Sequence, residues 1–324
     1  MRLLRSPVVA VAVVLTLFGV SVSACGSDKE SDEEFPEVVS LGKGEIFPAI
    51  LNSSLTLGPN RLVLSLTDSE DEFVPNAEVH LRFYSLKGDE PELRFESDAR
   101  FIPVELSYID EQAPTPEPTR AGSSGAYVAN VEFDATGAWG MRVEATVEGA
   151  RHEAPFRFDV RERSEEPMIG EQAPPSLQPT IASVAAVEEI DSSFPPRPHM
   201  HDITIADALA TGKPLVIAFA TPGYCTMRLC APVMDTVMDP LYAKYGEQAH
   251  FIHVEPYVLA DLRAGFMFNP VPATREWGIG TEPWVFVVGR DGTVLAKFEG
   301  VMAADEVEAT LQEALSGQAP SAAS

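Results

Sequence analysis

Apolar positions along the chain change their period twice. From Leu41 to Val160 the runs NRLVLSLTD, AEVHLRFYSL, RFIPVELSYI, AYVANVEFD, GMRVEATVEG and PFRFDV carry an apolar residue at nearly every second position. That is the period of strands with one buried face, and their close succession, broken by Gly, Pro, Asn and Asp, predicts an antiparallel β-sandwich over residues 41–160. The polar stretch QAPTPEPTRAGSSG between two of the runs predicts a surface loop. Residues 161–180 are charged and proline-rich and predict a linker.

Residues 181–317 read differently. TIADALATG predicts a short helix, PLVIAFAT a buried strand, and LCAPVMDTVMDPLYAKYGEQ a helical stretch broken at Pro240. AHFIHVEPYV predicts another strand, and REWGIG the end of a helix. WVFVVGRDGTVLAKFEGV predicts a hairpin turning at Arg290-Asp291-Gly292, and AADEVEATLQEALSG a closing helix that stops at Gly317. Strands alternating with helices, then a hairpin and a helix, predict an α/β layer with a mixed edge. Residues 318–324 predict a disordered tail.

The N-terminus obeys neither pattern. Arg2 and Arg5 precede an apolar run from Val8 to Val22, too short to span a bilayer comfortably but suited to the middle of an export signal. Val22-Ser23-Ala24 before Cys25 resembles the lipobox of bacterial lipoproteins. The resemblance implies cleavage after residue 24, a lipid on Cys25 and an envelope location with the folded parts outside the cytoplasm. Residues 25–40, which include GSDKESDEEFPE with six carboxylates and one lysine, predict a solvated acidic tether.

Composition narrows the chemistry. Of 324 residues, 45% are apolar and 22% charged, as in globular proteins, and the net charge of −26 argues against nucleic acid as a partner. The three cysteines are too few for a disulfide scaffold or a four-thiolate zinc site. With Cys25 assigned to the anchor, Cys225 and Cys230 remain as one pair.

Cys225 falls where the strand PLVIAFAT gives way to a helix, so it meets unpaired N–H groups and, from Arg228, a positive charge; both favour a thiolate. Five helical residues turn about 500° and rise about 7.5 Å, too far for a disulfide that needs Cα atoms within roughly 7 Å. Bonding to Cys230 therefore requires Cys225 to lie in the loop ahead of the helix, or the first turn to unwind.

Residues 200–316 resemble the thioredoxin-like superfamily, especially its membrane-anchored extracytoplasmic members, through FATPGYC, the second cysteine in the following helix, Pro232, and WGIGTEPWVFVVGRDGTVLAKFEG. The resemblance implies a cis-proline at Pro283 opposite the cysteines, with Thr281 and Glu282 lining the site where a substrate chain pairs. Residues 41–160 resemble immunoglobulin-like modules of exported bacterial proteins. The expected fold is therefore multidomain, an N-terminal all-β immunoglobulin-like sandwich plus a C-terminal α/β thioredoxin-like domain.

The match has departures: four residues, TMRL, separate the cysteines where the family has two, Ala218 occupies the place of a buried aspartate, and Glu282 precedes the proline. The carboxylate of Glu282 opposes a thiolate at Cys225, against Arg228 and the helix.

The expected activity is thiol–disulfide exchange with envelope or secreted proteins, Cys225 attacking, Cys230 resolving, Tyr224 covering one side of the pair, with no cofactor. TPG ahead of Cys225 also resembles Q-type peroxiredoxins, although Tyr224 is inserted into their pattern. Copper handling by the thiols with a histidine, for which His199, His201, His250 and His253 are candidates, and an inert disulfide staple are the other readings. His80 and His152 read as surface strand residues, His199 and His201 of HMH as a polar loop after FPPRP, and His253 as a packed strand residue. His250 is a further histidine of this region. Trp277 and Trp284 read as core or as substrate surface.

Overall fold

The computed structural model describes residues 46–109, 118–266 and 268–317. Cys25, the signal, the acidic tether and the tail lie outside the described residues.

The alternating runs form β1 (Phe47–Ile50), β2 (Leu55–Thr56), β3 (Gly58–Thr67), β4 (Glu78–Ser85), β5 (Glu92–Ile109), β6 (Pro118–Phe133), β7 (Gly137–Val147) and β8 (Ala150–Arg161). They do not split into the two separate sheets of an immunoglobulin-like sandwich. One hydrogen-bonded sheet runs β1-β3-β6-β5-β4-β7-β8-β2, mixed because β2 and β8 are parallel. The 18-residue β5 makes it continuous: residues 92–99 pair with β4, and residues 100–109 pair with β6. A strand shared in this way curls the sheet over its own core. Trp139, Phe83 and Phe133 are fully buried there, with ring centroids 5.0 Å apart for Phe133–Trp139 and 5.8 Å for Phe83–Phe133. Burying each such ring stabilises the fold by about 1.5–3 kcal/mol.

The expected surface loop at 112–125 is corrected over its second half. Residues 118–125 are strand, paired to 103–109. Polar composition misleads here because ladder hydrogen bonds, rather than a buried face, hold the ribbon. Gly125 lies under Phe101, whose ring atoms would come within 2.4 Å of any Cβ at that position.

The rest of the chain builds α1 (Ile205–Ala210), β9 (Leu215–Phe219), α2 (Cys230–Val233), α3 (Asp239–Tyr245), β10 (His250–Val254), α4 (Leu259–Arg263), α5 (Pro272–Glu276), β11 (Trp284–Val288), β12 (Val294–Glu299) and α6 (Ala304–Ser316). This is not the expected thioredoxin-like α/β domain. Strand outweighs helix in the described chain, its second sheet has four strands in the order β10-β9-β11-β12, and outside the α2–α3 stretch only α6, with 13 residues, exceeds two turns. Prolines and Gly265 keep the segments between β10 and β11 to single turns. The expected break at Pro240 is also absent. A π turn over Met234–Met238 joins α2 to α3, with Asp239 N–H bonded to Met234 O. That widened turn accommodates the proline's missing donor.

Residues 162–180 lie along this second sheet: Val294 N–H donates to Glu171 O at 2.8 Å, and Lys297 Nζ lies 2.8 Å from Glu166. The two sheets also meet directly. Arg61 forks onto Glu306 at 2.9 Å twice, and Ser53 donates from N–H and hydroxyl to Glu299 at 2.9 and 2.6 Å. Ile102, Ala126 and Val128 of the β5–β6 ribbon pack with Val301, Leu229 and Ala303. Leu229 immediately precedes Cys230, so the ribbon reaches the cysteine loop.

Candidate functional site

All five residues of β9 are buried, and after Phe219 the chain leaves the sheet through two turns. Tyr224 N–H closes the first onto Thr221 O at 3.0 Å, and Arg228 N–H closes the second onto Cys225 O at 3.1 Å. Cys225 thus lies in the loop, and Cys230 opens α2. Arg228 adopts φ +59°, the left-handed region, at a cost of about 1 kcal/mol for a residue with a Cβ. That kink turns the chain so that both cysteines meet. Both are free thiols and both are buried.

The two sulfurs differ. The Cys225 pKa falls to about 6, first through the hydrogen bond from the Cys230 side chain and then through the N–H groups of Cys230, Leu229 and Arg228, against burial. The Cys230 thiol is pushed well up by burial and by its bond to Cys225. One member of the pair is a thiolate near neutrality, and the other is its proton donor.

Pairing of Trp284 with Phe219 sets Glu282 and Pro283 beside the start of the cysteine loop, and the Glu282–Pro283 peptide is cis. Burial raises the Glu282 pKa to about 8; contacts to Thr221 oppose the rise and the charge of Cys225 adds to it. Donor atoms of Cys225, Cys230 and Glu282 lie within 4.8 Å of one another, a set that could also hold a soft cation.

Among the other sequence candidates, Arg228 contributes its backbone N–H, while its guanidinium lies 5.1 Å over the Tyr108 ring of the ribbon. Tyr224 is half-buried at the loop's first turn. Thr281 is drawn away into structure: it accepts from Trp284 Nε1 at 3.0 Å and donates to Glu299 at 2.7 Å. Ala218 is buried and pairs with His253 across β9 and β10. Trp277 is core, 4.9 Å from Phe286 and 5.4 Å from Phe219, and Trp284 stacks on Phe286 at 5.6 Å. His199 packs 4.2 Å from the Tyr242 ring, and His250 bonds Thr211 at 3.0 Å. His80 bonds Asp98 at 2.7 Å on an exposed face, and His152 is half-buried.

His201 is the exception to its sequence reading as a polar loop residue. It is buried against Asp191 and His253, behind the cysteine loop. Glu255 is buried next to them and accepts from Ser192 N–H and hydroxyl at 2.7 and 2.6 Å, while the same hydroxyl accepts from Gly223 N–H at 2.9 Å. Burial lifts Glu255 well above the carboxylate range and lowers His253 to about 4. Sequence reasoning missed Asp191, Ser192 and Glu255. One signal was present: in FIHVEP, two ionisable residues two positions apart interrupt an apolar strand.

No family model matches the chain, and no curated protein matches it. Among solved structures, a candidate thiol:disulfide interchange protein, DsbE, of Chlorobium tepidum is similar at 19% identity and TM-score 0.30, over 46% of this chain and 98% of that one. At that level of likeness, what the site can do rests on its own geometry.

Proposed function

We propose that the protein exchanges disulfides with exported thiol or disulfide proteins through Cys225, with Cys230 as the resolving thiol. The observation that carries this reading is the asymmetric pair: a Cys225 thiolate with a pKa of about 6, hydrogen-bonded by a Cys230 thiol whose pKa is raised. An inert staple needs neither difference.

The steps balance as follows. The Cys225 thiolate attacks one sulfur of a partner disulfide; the partner's S–S bond breaks, a Cys225–partner bond forms, and the leaving thiolate takes the proton of Glu282. Cys225 is now uncharged, so one cause of the raised Glu282 pKa disappears. The carboxylate then takes the proton of Cys230, whose sulfur attacks Cys225 and expels the second partner sulfur as a thiolate. Two electrons pass from the cysteine pair to the partner disulfide. Proton transfer by a positioned carboxyl is worth about 10²–10⁴-fold in rate.

Thiol trapping across graded redox buffers tests the reading. A reversible Cys225–Cys230 bond, with exchange abolished in Cys225→Ser and a mixed disulfide accumulating in Cys230→Ser, is the expected result. A bond still intact at about −300 mV overturns it in favour of a structural disulfide.

We further propose that Cys25 carries a lipid that holds these domains at an envelope membrane. The supporting features are Arg2, Arg5, the run Val8–Val22 and Val22-Ser23-Ala24 in that order. Among the described residues no helix is long and apolar enough to cross a membrane. Radiolabelled palmitate should appear on the protein and vanish in Cys25→Ser; labelling that persists refutes the anchor.

A further inference from the structure

We propose that Asp191, His201 and His253 form a binding site for a divalent ion of the zinc class, separate from the cysteine pair. Two distant segments converge on it. Asp191 precedes the proline cluster FPPRP, His201 follows that cluster, and His253 lies in β10. The three are 0–2% exposed.

The hydrogen bonding leaves a gap shaped for a cation. His253 Nε2 lies 2.9 Å from Ala220 O. A carbonyl can only accept, so Nε2 carries the proton and Nδ1 presents a lone pair. That lone pair faces Asp191 Oδ1 at 3.5 Å, acceptor against acceptor, and Nδ1 has no hydrogen-bond partner. His201 Nε2 faces Asp191 Oδ2 at 3.4 Å and is likewise unpartnered. Donor atoms around a tetrahedral ion with bonds of about 2.0 Å stand about 3.3 Å apart. The observed separations approach that edge length.

The surroundings have the character of an outer ligand shell. A ligating imidazole ordinarily donates its other N–H to a carbonyl or carboxylate, as His253 does to Ala220. Asp191 is fixed by the N–H groups of Ser193 and Arg197 at 2.8 and 2.6 Å. Two imidazoles and a single carboxylate suit zinc rather than magnesium or calcium, which take oxygen-rich sets. A pocket of about 240 Å³ lined by His201, His253, Glu255, Gln178 and Tyr257 supplies a route in.

The test uses the full chain carrying Cys25→Ser, Cys225→Ser and Cys230→Ser, so that no thiol can contribute. After stripping with a chelator, calorimetric titration with zinc should give one ion per chain. X-ray absorption should show a nitrogen and oxygen shell at about 2.0–2.1 Å with imidazole scattering. His201→Gln and Asp191→Asn, each folded by circular dichroism, should weaken binding at least about 10-fold. A folded parent that takes up no zinc, or undiminished binding in folded His201→Gln, overturns the proposal and leaves the three residues as a buried packing cluster. Should both variants fail to fold, the spectrum of the parent decides: a shell without imidazole overturns the site.

Discussion

Replacing Cys230 by alanine isolates the group that gives Cys225 its character. The fall of the Cys225 pKa from 9.0 to about 6 corresponds to about 4 kcal/mol favouring the thiolate, and Cys225, 7% exposed, is little screened by solvent. The Cys230 thiol is the largest contributor. A hydrogen bond to a charged group is worth about 1.5–3 kcal/mol, or about one to two pKa units. Alanine removes it while burial and the three backbone N–H groups remain. The Cys225 midpoint should therefore move from about 6 to about 7–8. Cys230→Ser, which keeps an O–H donor, should move it less.

Thiolate absorbance at 240 nm against a Cys225→Ser baseline reads the midpoint. The pH profile of alkylation, followed by mass spectrometry, checks it. The midpoint is the readout rather than the plateau rate, because a thiolate of higher pKa is intrinsically the better nucleophile and would offset part of the loss. A midpoint still near 6 in folded Cys230→Ala would refute the reasoning and assign the thiolate to the backbone alone.

Arg228→Gly should leave the Cys225 midpoint in place, since only the backbone N–H of this residue acts on the sulfur, and relief of the positive φ, about 1 kcal/mol, should be offset by loss of the guanidinium's contact with Tyr108, about 0.5–1 kcal/mol, leaving stability within about 0.5 kcal/mol of the parent in denaturant melts; a midpoint that rises would restore the guanidinium to the site. Glu282 has its pKa raised from 4.5 to about 8, so its contribution to stability is full below 4.5 and is lost at about 1.4 kcal/mol per unit as the pH climbs to 8. Glu282→Gln should therefore gain on the parent between pH 5 and 8 in urea titrations, and an equal difference at both pH values would refute the assignment. Arg61→Ala removes one partner of the fork between the two sheets, 8% exposed, and should cost about 3 kcal/mol by calorimetry; a loss below about 1 kcal/mol would make the fork a surface pair.

Individual elements were more legible than their assembly. Period-two alternation in AEVHLRFYSL and GMRVEATVEG announces strands because each has one wet face, and PLVIAFAT is apolar throughout because β9 is central in its sheet. The same pattern says nothing about partners, so the shared use of β5 by β4 and β6, which replaces a sandwich by one curled sheet, had no local signature. The strand over residues 118–125 was hidden because ladder bonds hold it. Pro240 reads as a break in any local rule, whereas the π turn ahead of it accommodates the missing N–H. In the site, Cys225 and Cys230 stood out through their position between strand and helix. The charge of Arg228 was given a role that its side chain, turned to Tyr108, does not fill. Asp191, His201 and His253 come together only in three dimensions, since 52 residues separate His201 from His253.

The docking of the β5–β6 ribbon onto the cysteine loop has a thermodynamic consequence. Forming a Cys225–Cys230 bond must draw the sulfurs to about 2.05 Å within the turn that carries Arg228 and Leu229, the residues on which Tyr108 and the ribbon rest. If closing that bond displaces the turn, redox state and ribbon seating are linked: a ligand that grips the ribbon then shifts the reduction potential of the pair, and oxidation shifts the affinity of that ligand by the same free energy.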